Sequence, residues 1–150
     1  TKNSSGRLVK MGYRKPLLFV PKGGKNFVPA STVAQAACNA LMMGNNGEKY
    51  LVSGENLSFT DFFLLQKAVG HYKQLIIEVP DWILKLAGLA GDLLRKMGLK
   101  TDLSTINIRQ LLLREYYSGE KAKAELKYKS ADLKEAISEA IKWLDKTEKV

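Results

Sequence analysis

LLFVPKGGKNFVPASTVAQAACNAL, residues 17–41, and GEKYLVSGENLSFTDFF, residues 47–63, are the stretches that decide how this chain folds. In the first, two short apolar runs, Leu17 to Val20 and Asn26 to Val28, flank Pro21-Lys22-Gly23-Gly24. That pattern reads as two short strands around a glycine turn. Ser31 and Thr32 are N-cap candidates for a helix running to about Met43, and Gly44, Asn45, Asn46 and Gly47 end it. In the second stretch, Tyr50, Leu51 and Val52 make a short apolar run, so Lys49 to Val52 reads as a strand. Ser58-Phe59-Thr60-Asp61 fits a capping box, opening a helix rich in Phe59, Phe62, Phe63, Leu64 and Leu65 that Gly70 closes.

Working outward, residues 1–15 are polar and glycine-containing and read as a loop or a frayed start. Leu75 to Val79 is another short strand. Pro80-Asp81-Trp82 then starts a helix to about Met97, with Gly98 at its C-terminus. Asp81, Lys85, Asp92 and Lys96 fall on one narrow stripe of that helix, and almost everything else in it is apolar. Such a helix is either sandwiched in the core or offers apolar surface to something else. Charges interrupt a run already too short to span a bilayer, so no membrane partner is expected. Thr101 to Tyr117 reads as one helix, Gly119 to Leu126 as a short one, and Asp132 to Lys146 as an amphipathic last one. The expected fold class is therefore α/β and helix-rich, with strands so few and short that some would complete a larger sheet elsewhere. The 150 residues make a single domain.

Charge is uneven. Of the net +9, seven basic residues (Lys2, Arg7, Lys10, Arg14, Lys15, Lys22 and Lys25) precede the first acid, Glu48. A basic first third implies a local anion site or a solvated basic face. A stand-alone basic module for nucleic acid or another polyanion is the alternative reading. Nucleic acid is disfavoured, because the cations lack interleaved aromatics apart from Tyr13, Phe19 and Phe27 and no recognition motif is present.

Most catalytic chemistry is excluded by what the chain lacks. No glycine cluster of the Gly-x-Gly-x-x-Gly kind follows a strand, so there is no dinucleotide phosphate loop. One cysteine, Cys38, and one histidine, His71, cannot make a zinc site or an internal disulfide. Cys38 lies among small residues of a helix and reads as a buried, inert thiol. A reducing, cytoplasmic setting fits, with no signal peptide at the polar start. Tyr117 and Lys121 match the YxxxK spacing that places a tyrosine acid and a lysine on consecutive turns. Gly119 breaks that turn, so the match reads as chance. No catalytic or metal-binding residue is assigned.

The same elements, taken together, resemble the extended short-chain dehydrogenase/reductase family, in its dihydroflavonol-reductase-like and NAD-dependent epimerase/dehydratase branch. The resemblance rests on Lys25, Phe27-Val28, Val33-Ala34, the segment Gly47 to Val52, and Gly54 to Ser58. It extends to SGEKAKAELKYKSADLKEAISEAIKWL at residues 118–144, and runs from about Gly6 to the end. It implies a C-terminal, substrate-binding portion whose nucleotide-binding half lies outside this chain, which begins at Thr1 and reads as a fragment. The glycine-rich loop and the true acid/base residues of the family would all precede it. NAD or NADP would belong to the full-length enzyme, and none is expected on this chain alone. The substrate would be a small carbonyl or hydroxyl compound, with a nucleotide-sugar among the options. Lys25, beside Asn26, stands where a basic residue contacts substrate phosphates, and Arg109 is the nearest counterpart of a second such cation. Trp82 would line the pocket, the Lys49–Val52 strand would join the edge of the missing sheet, and the 82–97 helix would wall the cleft. The expected partners are the N-terminal half, the substrate and, through an exposed domain interface, a second copy. Two departures bear on substrate: Pro29-Ala30-Ser31-Thr32 replaces His-x-x-Asp, and Lys127 stands where glycine is common.

Overall fold

The computed structural model describes residues 6–147 and bears out a helix-rich α/β fold. In chain order the elements are α1 (Gly6–Gly12), β1 (Leu17–Val20), β2 (Gly24–Phe27), α2 (Ala30–Met43), β3 (Glu55–Ser58) and α3 (Phe59–Gly70). They continue with β4 (Leu75–Glu78), α4 (Asp81–Lys96), α5 (Thr105–Leu112), β5 (Arg114–Glu115), α6 (Glu120–Leu126) and α7 (Leu133–Thr147).

The strands form two small sheets. β1 and β4 pair in parallel, with Leu17 opposite Leu75 and Val20 opposite Glu78. Leu18 and Val20 point into the main core while Leu17 and Phe19 face outward, the period-two alternation of a strand. β2 is the middle of the other sheet, antiparallel to β3 and parallel to β5. The main core lies where α1, α3 and α7 meet β1: Val9, Leu18, Val20, Phe59, Phe62, Phe63, Ile137 and Leu144 are all buried there. Phe27 stacks on Phe62 with centroids 4.3 Å apart, which joins β2 to this core. A smaller cluster of Ala36, Ala122, Leu126 and Tyr128 holds α2 against α6.

Four local expectations are corrected. Residues 6–12 are helical, because Val9 and the following Tyr13 are buried against the core and tertiary packing supplies what a seven-residue helix lacks. Lys49 to Val52 is no strand. Tyr50 and Val52 pack on the smaller cluster with the alternation of a strand, but no ladder forms there, and β2 takes residues 55–58 instead. The helix expected over 101–117 ends at Leu112. Ser104 caps it, accepting a hydrogen bond from the Asn107 amide at 3.2 Å, and Leu113 turns extended. The next two residues pair with β2. Cys38 is exposed: the buried stripe of α2 runs through Thr32 and Ala36, four apart, and Cys38 is off it.

The Gly23-Gly24 pair does more than turn the chain. The Gly24 amide donates to the Leu113 carbonyl at 3.0 Å, and a Cβ on Gly23 would lie 2.1 Å from the Leu111 carbonyl oxygen. Glycine there lets the end of α5 dock on β2. Similarly, a Cβ on Gly91 would meet the Leu103 carbonyl oxygen at 2.3 Å, so α4 approaches α5 through bare backbone.

Candidate functional site

The four residues singled out from sequence occupy two neighbouring pieces of the molecule. Lys25 and Asn26 are consecutive on β2, whereas Trp82 opens α4 and Arg109 lies on α5. The end of α5 leads through Leu113 into β5, so the α4–α5 pair is tied directly to the sheet that carries Lys25.

Lys25 is not a bare cation. The β2–β5 register places it opposite Glu115, and its ammonium sits 3.3 Å from the Glu115 carboxylate. Asn26 is equally committed. Its side-chain oxygen accepts from the Gly54 amide at 2.9 Å, and its amide donates to Gly54 O at 3.3 Å and to Asn56 Oδ1 at 2.7 Å. Asn56 in turn accepts from the Tyr117 amide and donates to its carbonyl. The two asparagines therefore rivet β2, β3 and the segment after β5 together. Sequence reasoning missed Glu115 and Asn56, because a non-local register decides both roles.

Arg109 is exposed, and Trp82 is 64% exposed. Trp82 belongs to a broad bare face of α4. Ile83, Leu86, Leu89, Leu93, Leu94 and Met97 are also exposed, while the inner face packs on α5 through Gly88 and Gly91. The helix thus offers apolar surface and is not sandwiched within this core. Past β5, the rings of Tyr116 and Tyr117 are also exposed.

The Tyr117–Lys121 spacing does not produce an acid/base pair. Lys121 makes an ion pair with Glu48 and lies over the Tyr50 ring, 5.3 Å from its centroid. Their shared bond raises the Lys121 ammonium above its ordinary value and lowers the Glu48 carboxyl. The basic first third does not converge on one ligand site. A concave region of about 270 Å3 is lined by Arg14, Lys15, His71 and Lys73, but it sits beyond the C-terminal ends of α1 and α3. Cations there balance the negative ends of two helices. Arg14 also bonds Asp145 at 2.8 Å. Lys2 lies outside the described residues. Among the described residues, no group of histidine, cysteine and carboxylate could hold a metal ion.

Two solved structures share this arrangement. The crystal structure of gox2253 superposes with a TM-score of 0.77 at 24% identity, covering 97% of this chain and 44% of that one. The structure of RMD from Pseudomonas aeruginosa complexed with NADPH gives 0.59 at 13% identity, covering 94% of this chain and 40% of that one. The fold is theirs. This chain spans less than half the length of either, and matches one portion of each. No family model and no curated protein matches it. Among the described residues, no helix is long and apolar enough to cross a membrane.

Proposed function

We propose that this chain is the substrate-binding portion of an NAD(P)-dependent reductase, epimerase or dehydratase of the extended short-chain type, acting on a carbonyl or hydroxyl carbon. The observation that carries the reading is the coverage: nearly the whole chain follows one portion of two larger proteins, and one of those was solved with NADPH. The bare face of α4 and the outward face of the β1–β4 pair are where the remaining portion and the substrate would lie.

In this reading the chain shapes and does not catalyse. NAD or NADP, held by the other portion, supplies or accepts the hydride, and that portion also supplies the acid and base. Trp82 contributes an apolar wall, Lys25 and Asn26 a rigid polar end on β2, and Arg109 a cation at the rim. The preorganised hydrogen bonds of Asn26 keep that end fixed without cost on binding. The setting would be cytoplasmic.

The test starts from the reading frame upstream of Thr1. The longer protein should bind NADPH, seen as enhanced nicotinamide fluorescence, while this chain alone should not. Nucleotide binding by this chain alone, or a longer protein that ignores NADPH, overturns the proposal.

A further inference from the structure

We infer that Asn46-Gly47 is a site of spontaneous imide formation, where the chain converts its own asparagine to isoaspartate and loosens the contact between α2 and α6. It is the single Asn-Gly in the sequence. The pair forms an exposed turn after α2, with the Glu48 amide donating to the Asn45 carbonyl at 3.2 Å and Gly47 at φ 80°. A glycine amide is the least hindered backbone nitrogen, because no side chain shields it. The surroundings leave it open as well, since a Cβ built on Gly47 would meet nothing within 4 Å. The side chains of Asn26, Asn39, Asn45, Asn56 and Asn107 each donate a hydrogen bond to another residue. Among the described residues, Asn46 is the asparagine whose side chain is held by none.

The step is an internal acyl exchange. Base in the solvent removes the Gly47 amide proton, and that nitrogen attacks Cγ of Asn46. The N–Cγ bond forms, the Cγ–Nδ2 bond breaks, and Nδ2 leaves as ammonia with a proton from water. Water then opens the cyclic imide at either carbonyl, and nothing is oxidised or reduced. One opening gives aspartate on the original backbone. The other gives isoaspartate, whose main chain runs through the former side chain and is one methylene longer. That lengthened segment lies between two anchors. The Asn45 amide donates to Tyr50 Oη at 3.0 Å and its side chain to Glu125 Oε2 at 3.2 Å, while Glu48 is ion-paired with Lys121. Glu125 and Lys121 both belong to α6. An added methylene between Asn45 and Glu48 puts the anchors out of step and breaks the turn hydrogen bond that sets their spacing.

In the experiment this chain is held at mildly alkaline pH and body temperature and sampled over days. The tryptic peptide of residues 26–49, which contains four asparagines, should gain the mass of an amide-to-acid exchange, located by fragmentation at residue 46. Aged protein, and not fresh, should accept methyl groups from S-adenosylmethionine through an isoaspartate-specific methyltransferase. Gly47→Ala should slow the mass gain by at least about tenfold with unchanged circular dichroism, because its Cβ shields the attacking nitrogen. The consequence for the fold is read against Asn46→Asp, which carries the same new charge on an unaltered backbone. Aged protein should unfold at lower urea than this variant. Four results overturn the inference: exchange first at another asparagine, a product that is aspartate alone, a Gly47→Ala rate equal to that of the parent, or aged protein that unfolds together with Asn46→Asp.

Discussion

Tyr13 is a phenol with a carboxylate for a partner. Its hydroxyl donates to Asp145 Oδ1, and this bond, followed by burial, pushes its pKa up to about 12. The folded state therefore favours the protonated ring. The corresponding stability is complete below the ordinary tyrosine range and is lost as pH rises from there through about 12. Of the six tyrosines, Tyr13 should accordingly ionise late in an ultraviolet absorbance titration, with Tyr72 also delayed by its burial, and Asp145→Asn should bring Tyr13 back towards the others. Glu48 and Lys121 bracket the opposite ends of the scale. The lowered Glu48 carboxyl contributes stability that is lost only when pH falls below its usual range, and the raised Lys121 ammonium contributes until pH climbs past its own. Lys127 is a different case. It caps α6 in the left-handed region at φ 49°, where glycine is at ease and a side chain costs about 1–2 kcal/mol. Lys127→Gly, which also loosens the unfolded chain, should raise stability by about 0.5–1 kcal/mol in urea unfolding. That position was legible beforehand as one where glycine is common.

At the scale of elements, local signals and long-range register divided the work. The α3 capping box was readable because all its parts lie within four residues, and the Asp61 amide does donate to Ser58 Oγ at 3.0 Å. α7 was readable because Leu133, Ile137, Ile141 and Leu144 repeat at helical spacing. β5 was not. Nothing in Arg114-Glu115 signals a strand; those two residues pair because Gly23 and Gly24, ninety positions earlier, clear room for them. The same register gives Lys25, the candidate phosphate contact, a carboxylate neighbour in Glu115. The packing yields two expectations. Ile137→Ala, in the main core, should destabilise the fold by about 2–5 kcal/mol in denaturant unfolding. Gly91→Ala should force α4 away from Leu103 and cost about 1–3 kcal/mol, visible in the same measurement.

For the molecule as a whole, the outer surface is the unusual part. Leu17, Phe19, Leu75 and Ile77 form a bare patch on the parallel β1–β4 pair, and parallel sheets are ordinarily covered on both faces. Leu41 and Met42 on α2, 87% and 85% exposed, add a second patch, and α4 a third. Exposed apolar area on this scale marks interfaces. Replacing Phe19 with lysine should leave circular dichroism unchanged and reduce self-association in sedimentation, since the ring contributes to surface and not to the core.

Finally, the main core is assembled from opposite ends of the chain. α1 and α7 both pack into it, and Tyr13 reaches Asp145 across 132 positions. A nascent chain leaving the ribosome would hold Phe59, Phe62 and Phe63 without their final covering until α7 emerges. Vectorial synthesis thus leaves the core of this portion open until its last helix has been made.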